Sequence, residues 1–274
     1  RARLDAVIAR YNPSAIMHFA AYAYVGESVK YPGKYYRNNV AGSLTLLEAA
    51  RDHGIDKLIF SSTCATYGVP EVVPICENHP QRPINPYGAS KLAMEQMLAD
   101  AASCLGLRAV ALRYFNAAGA DPSAEIGEAH DPETHLIPLA LAAVRGDRGP
   151  LTVFGEEYDT PDGTCVRDYI HVNDLADAHL RALDYTGKTE GYAAFNLGTG
   201  SGASIREVIT AAERVTGRAL PHSVGPLREG DPAVLVADST AAKRDLGWVP
   251  QCSDLDSILS SAWAWMERPG KNVG

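Results

Sequence analysis

Short apolar runs alternate with longer stretches of helical periodicity along the first part of the chain. Residues 4–11 place apolar side chains at helical spacing, and Asn12-Pro13 stops them. Residues 15–20 (AIMHFA) form a brief continuous apolar run, the pattern of a parallel strand buried on both faces. A Leu- and Ala-rich helix is predicted over 39–53, closed by Gly54 as C-cap. Residues 57–60 read as the next strand, which ends in Ser61-Ser62-Thr63. Asn85-Pro86 then opens a helix to residue 103, with Asn85 as N-cap and Pro86 at the first helical position. Residues 108–113 form a further strand, ending at Tyr114-Phe115-Asn116. This alternation predicts an α/β fold, a doubly wound parallel sheet of Rossmann type with right-handed crossovers.

Beyond Asn116 the rhythm loosens. Residues 117–166 are rich in Gly, Pro and loop signals, with one helix near 138–145. A strand–helix unit returns over 168–183, a strand over 193–197, and helices and short strands fill 204–266. The pattern divides the chain into a nucleotide-binding domain over 1–117 and a smaller C-terminal substrate-binding lobe over 118–274. Residues 167–199 partly return to the first domain.

Composition narrows the function classes. Twenty-five Lys plus Arg against 33 Asp plus Glu leave a net charge of −8 over 274 residues, which argues against a nucleic-acid partner. No apolar run approaches the ~18 residues of a membrane span. The five cysteines are odd in number, widely spaced and free of CxxC pairs, so reduced thiols and a cytoplasmic location are expected, with no metal site.

Ligands of open α/β sheets sit beyond the carboxyl ends of the strands. Polar clusters fall at three such ends: the loop after Phe19, Ser61-Ser62-Thr63, and Tyr114-Phe115-Asn116. Tyr87 and Lys91, four residues apart at a helix start, share one helical face. A free phenol with a pKa near ~10 is a poor base at neutral pH. A nearby ammonium and the positive end of the helix dipole would lower that value and make Tyr87 a usable acid/base. A Tyr and a Lys at this spacing on an ordinary solvated helix would look the same in isolation.

The longer strings are more specific: HFAAYAYVGESV (18–29), FSSTCATYG (60–68), NPYGASK (85–91), LRYFNAAGA (112–120), GTCVRDYIHVNDLADAH (163–179) and REGD (228–231). Together they resemble the extended short-chain dehydrogenase/reductase family, and within it the UDP-sugar 4-epimerases of rhizobial-type exopolysaccharide clusters. The resemblance runs through essentially the whole chain in the family's order. It implies a tightly held NAD and interconversion of UDP-glucose and UDP-galactose through a transient 4-keto sugar, by a homodimer in the cytoplasm. By the same resemblance Tyr87 is the catalytic acid/base, Lys91 holds the nicotinamide ribose and depresses the Tyr87 pKa, and Thr63 relays or orients the proton. Phe19, Ala20, Ala21, Asn38, Ser61 and Tyr114, with Tyr87 and Lys91, match cofactor-lining positions. Asn116, His135, Leu136, Thr152, Phe154, Arg167, Arg228 and Asp231 match substrate-binding positions. Arg suits that task because a diphosphate must be gripped locally against an acidic overall field.

Departures from the family pattern carry information too. Ala23 stands where some members have a Lys, His135 where others have Asn, and Leu235 where a bulky Tyr or a small residue sets room around the sugar. Cys64-Ala65 follow Thr63 where the dehydratases of the family carry an Asp-Glu pair, so elimination lacks its acid. A UDP-xylose/UDP-arabinose 4-epimerase uses the same machinery and is the alternative; a non-catalytic nucleotide-binding fragment is another. By the resemblance, roughly 60 residues carrying the glycine-rich pyrophosphate turn and the ribose-binding acid precede Arg1 in the family. From this the chain alone is expected to bind NAD weakly and to be inactive.

Some features read as decoys. Gly198-Thr199-Gly200-Ser201-Gly202-Ala203 fits a dinucleotide fingerprint formally, yet no acidic strand end follows about 20 residues on, so a tight turn is expected. His130, Asp131, Glu133 and His135 fit no helical zinc pair, because Pro132 breaks a helix there; a substrate loop is expected. His18 and His171 read as structural histidines, and Trp263 and Trp265 as packing or dimer surface.

Overall fold

The computed structural model describes residues 1–228 and 231–268. Of the REGD string, Glu229 and Gly230 lie outside the described residues. The helices are α1 (Ala2–Tyr11), α2 (Val25–Lys30), α3 (Pro32–Tyr35), α4 (Gly42–Asp52), α5 (Pro86–Leu105), α6 (Leu136–Arg145), α7 (Val172–Thr186), α8 (Ile205–Thr216) and α9 (Leu255–Met266). The strands are β1 (Ile16–His18), β2 (Lys57–Thr63), β3 (Arg108–Tyr114), β4 (Asn116–Ala118), β5 (Leu151–Phe154), β6 (Val166–Arg167), β7 (Tyr169–His171), β8 (Tyr192–Leu197), β9 (Ala203–Ser204), β10 (His222–Gly225) and β11 (Val234–Leu235).

The main sheet has the order β1-β2-β3-β8, parallel throughout. Strand periodicity of two decides its faces. Leu58 and Phe60 of β2 and Ala109 and Ala111 of β3 join Met94 and Leu98 of α5 on one side. Ile59, Val110 and Leu112 meet Leu175, Ala178 and Ala182 of α7 on the other. Both faces are thus covered by helices, which is why the strand sequences are apolar at nearly every position. The doubly wound α/β expectation holds. The 15–20 run is shorter than expected, however, because only 16–18 pair with β2. The helix expected from 39 begins earlier, as a π-helical turn over Tyr36–Ala41 that runs directly into α4. The polar stretch 25–35 also forms α2 and α3, which the hydrophobic pattern does not reveal.

A second core belongs to the C-terminal half: Ile137 and Leu141 of α6, Val208 and Ala212 of α8, and Ile258 and Leu259 of α9, with Trp265 at its edge. The chain after Tyr169 returns to the sheet through α7 and β8. So does a later segment, since Ala242, Leu246 and the fully buried Trp248 pack beneath α7. None of the described helices is long and apolar enough to cross a membrane.

Candidate active site

The C-terminal end of β2 distributes its hydroxyls by the same alternation. Ser62 faces α5 and bonds the Glu95 carboxylate, while Ser61 bonds the Tyr114 hydroxyl at the end of β3. Thr63 is the last strand residue. Its hydroxyl accepts from the Ala65 amide at 3.1 Å and is hydrogen-bonded to the Tyr87 phenol. Tyr87 arrives there because Asn85 caps α5, accepting the Gly88 amide at 2.9 Å, with Pro86 fixing the first turn. Gly88 lets that turn lie on the β2 end, since a Cβ there would overlap the Ala65 carbonyl oxygen.

Lys91 follows one turn on and is buried. Its ammonium donates to the Ser61 carbonyl at 2.6 Å and lies 4.8 Å from the Phe60 ring and 6.0 Å from the Tyr87 ring centroid. The depressed Tyr87 pKa expected from the sequence is not found. Burial pushes the phenol well above its ordinary value, and the Thr63 hydrogen bond is what opposes this. Lys91 itself is lowered to about 8 by burial, with Glu95 acting the other way. Loss of hydration thus outweighs the neighbouring charge at both groups, and the ammonium makes its short contact with the strand carbonyl.

Phe19, just past β1, is 55% exposed and lies 4.6 Å from the ring of His179. His179 also meets Tyr114, at 6.3 Å, and its buried Nε2 has no hydrogen-bond partner among the described residues. Ala20 is exposed and Ala21 half-buried. Asn38, on the π-helical turn, is exposed and donates to Asn39 at 3.0 Å. Asn39 in turn ties this turn to α5 through Ser90 at 3.0 Å and to the loop after β1 through Tyr22 at 2.9 and 3.0 Å. A buried cation, a phenol, an exposed ring at a strand end and an orphaned imidazole nitrogen fit the nicotinamide half of a dinucleotide.

A second group lies in the C-terminal half. Arg167 of β6 pairs with Asp231 at 2.5 Å. Arg228 stacks over Phe154 of β5 at 3.8 Å. Thr152 sits two residues earlier on that half-buried strand, next to Gly225. Asn116 opens β4, its amide held by the Asp168 carbonyl at 3.0 Å. The positive charge of Arg167 reaches Cys64, whose thiol burial nevertheless pushes up to about 12. Leu235 packs partly buried with Cys64 and Phe115. This second group therefore approaches the end of β2. His135 is placed differently: it precedes Leu136 at the start of α6 and bonds Glu128, which raises its pKa. His130, Glu133 and Glu128 gather around it.

The 198–203 string is a tight turn. The Thr199 and Gly200 amides are spent on the buried Asp168 carboxylate, at 2.8 and 3.2 Å, and α8 is closed by a Ser204–Glu207 capping box. A cavity of about 460 Å³ beside it is lined by Thr199, Ser201, Glu207, Gln251 and Asp254. Its acidic lining suits no diphosphate, and Tyr87, Lys91 and Thr63 do not border it. His18 bonds Ser43 at 2.8 Å, and His171 bonds Ser261 at 3.0 Å and caps α7, so both are satisfied structural residues.

Sequence reasoning missed the polar core behind the site. Arg113 forks onto Glu95 at 2.5 to 3.1 Å and donates to Tyr67 at 2.9 Å, while Tyr192 reaches Glu95 at 3.1 Å. The available signals were an Arg within an apolar strand and a Glu one turn beyond Lys91.

A hydroxyl, a phenol and a lysine gathered at the carboxyl end of a doubly wound parallel sheet define a dinucleotide-dependent enzyme acting on a hydroxyl-bearing carbon. Residues 1–198 match the NAD dependent epimerase/dehydratase family, and the chain belongs to it. It is 56% identical over 272 residues to a UDP-glucose 4-epimerase of Rhizobium leguminosarum bv. trifolii, a match covering 99% of this chain and 83% of the relative. The crystal structure of UDP-glucose 4-epimerase from Brucella ovis in complex with NAD superposes with a TM-score of 0.93 at 55% identity, covering 96% of this chain and 81% of that one. That of UDP-glucose-4-epimerase from Stenotrophomonas maltophila, with bound NAD and formylated UDP-arabinopyranose, gives 0.94 at 42% identity, covering 97% and 79%.

Proposed function

We propose that this chain interconverts UDP-glucose and UDP-galactose with NAD as resident cofactor. The observation that carries the reading is the Thr63–Tyr87–Lys91 group at the end of β2. A bound NAD would supply a hydride acceptor and donor for the sugar C4. Tyr87, as the phenolate that the positive nicotinamide of a bound NAD would favour, would take the 4-hydroxyl proton and later give it back, with Thr63 hydrogen-bonded to the phenol oxygen. Burial makes the phenolate a strong base once formed, and the Lys91 ammonium is the buried cation beside it. Phe19, Ala20, Ala21, Asn38, Ser61 and Tyr114 line the cofactor in this reading. Arg167 and Arg228 hold the diphosphate, Phe154 and Thr152 border the uracil, and Asn116, Leu136 and Asp231 complete the substrate side. His135 offers its outer ring nitrogen to the diphosphate.

The domain boundary falls near 117, supported by one core whose buried residues run from Leu47 to Ala111 and another from Ala118 to Met266. Val29, Tyr36 and Leu44, exposed along 25–44, supply apolar surface for a homodimer, and free thiols accord with a cytoplasmic location. The pentose reading has one specific support, the UDP-arabinopyranose named with the Stenotrophomonas relative. The experiment is an interconversion assay of the purified protein on UDP-glucose, UDP-galactose and UDP-xylose. Turnover of the hexoses, reduced at least about 100-fold by Tyr87→Phe, is expected. Turnover of UDP-xylose alone would favour the pentose reading, and an unchanged rate in Tyr87→Phe would remove the proton chemistry proposed.

A further inference from the structure

The loop before α6 carries donor groups that the reading above leaves unused. One ring nitrogen each of His130 and His135 and one carboxylate oxygen each of Glu128 and Glu133 lie within 4.8 Å of one another. His130 Nδ1 is 2.8 Å from Glu128 and 3.8 Å from Glu133, and His135 Nδ1 bonds the same Glu128 oxygen. Tetrahedral zinc, with bonds of ~2.0–2.1 Å, sets its ligand atoms roughly 3.4 Å apart, so side-chain adjustments of an ångström or so suffice here.

The surroundings hold this arrangement. Gly127 lies flat on the Trp265 indole, where a Cβ would overlap the ring, and the Glu128 carbonyl accepts the Trp265 indole N–H at 2.8 Å. Glu133 is fixed by accepting the Thr134 and His135 amides at 2.7 and 2.8 Å. The Tyr24 ring meets His130 edge-on at 5.8 Å. Both carboxylates are mostly buried while both imidazoles open to solvent, which leaves an entry path. The chemistry of the donors selects the ion: two imidazoles and two carboxylates suit a borderline divalent cation better than Mg²⁺ or Ca²⁺, which favour oxygen alone. Two carboxylates also neutralise its charge.

We propose that Glu128, His130, Glu133 and His135 form a binding site for a divalent cation of the zinc class. Ligation through Nδ1 leaves the His135 Nε2–H directed away from the ion, so the metal also fixes the tautomer of the residue read above as a diphosphate donor. That last point rests on the proposed function; the site itself does not.

The test is calorimetric titration of the chelator-treated, thiol-alkylated protein with Zn²⁺, and with Co²⁺ followed by visible absorption. Alkylation removes the exposed Cys76 and Cys104 as competing ligands. One equivalent is expected to bind, with Co²⁺ bands of tetrahedral intensity. His130→Ala removes a ligand atom and should weaken binding by about 100-fold, the upper end of what losing a residue that only supports a ligand causes. Glu133→Gln should weaken it as well, although that change keeps an acceptor for the two amides, and circular dichroism confirms that both variants fold. Absence of saturable Zn²⁺ binding, wild-type affinity in either variant, or saturation by Mg²⁺ in preference to Zn²⁺ would each overturn the site. No nucleotide sugar enters the measurement, so epimerase activity and metal binding fail separately.

Discussion

Lys91 is a buried ammonium whose pKa is lowered to about 8, first by loss of hydration and against the pull of Glu95. Two consequences run in opposite directions. If the reaction needs the cation beside Tyr87, kcat falls as pH rises through about 8. Stability moves the other way. An unfolded lysine titrates near 10.5, so between about 8 and 10.5 the unfolded chain holds a proton that the folded chain has released, and stability rises with pH across that window. Lys91→Met should remove this slope. The difference in urea midpoint between the two proteins therefore stays constant from pH 7.5 to 10 if Lys91 has no depressed value, and shifts in favour of the wild type with rising pH if it does. Loss of activity where stability is rising cannot be unfolding, which isolates the chemical role of the cation. The same residue shows the limit of a spacing argument. The sequence places Tyr87 and Lys91 on one helical face, but only the structure reveals that the ammonium is spent on the Ser61 carbonyl.

At the scale of elements, the reacting groups depend on how closely α5 lies on the end of β2. Gly88 sits where the helix backbone touches Ala65, with Pro83 close on the same side. Gly88→Ala improves helix propensity by up to about 1 kcal/mol, yet its methyl group enters space already filled, an overpacking cost of about 1–3 kcal/mol. The net expectation is a small loss of stability and a displacement of Tyr87 from Thr63. Steady-state kinetics should show kcat lowered at least 10-fold with KM for the UDP-sugar changed far less, because a small misplacement of a reacting group costs rate. An equal loss in both parameters would place Gly88 outside this contact. Element by element, β2, β3, β8 and α5 were legible because a strand buried on both faces and a Pro-capped helix leave strong local signals. Helices α2 and α3 were not, since VGESVK and PGKY bury little beyond Ser28 and Tyr35 and so carry no apolar period. The sequence drew attention to His130, Glu133 and His135 but not to Glu128 beside them, since helical spacing rules say nothing about a loop that folds its side chains together.

Over the whole molecule, the two cores must be held at a fixed relation for Arg167 to face the end of β2. Asp168, fully buried and next in sequence to Arg167, performs that task. One carboxylate oxygen accepts the Thr199 amide and hydroxyl at 2.8 and 2.7 Å, from the turn after β8 of the main sheet. The other accepts the Ala237 amide at 3.1 Å, from the segment just past β11, and the Gly200 amide at 3.2 Å. Its backbone continues the link, giving its carbonyl to Asn116 and taking that of Leu235 at 3.1 Å. Asp168→Asn keeps the shape but turns one acceptor into a donor facing amides that also donate. The expected cost is about 3 kcal/mol, since a buried acceptor of several N–H groups is lost. For a domain of this size that lowers the thermal midpoint by roughly 6–12 °C. The secondary structure of each half rests on its own core, so far-UV dichroism well below the midpoint should be unchanged. KM for the UDP-sugar should rise more than kcat falls, because Arg167 and Asp231 move with the C-terminal half while Tyr87, Thr63 and Lys91 stay with the sheet. A loss confined to kcat would mean that Asp168 acts on the sheet alone, and the placement of the proposed diphosphate grip would then have to come from the Glu95–Arg113 core or from the 241–248 return.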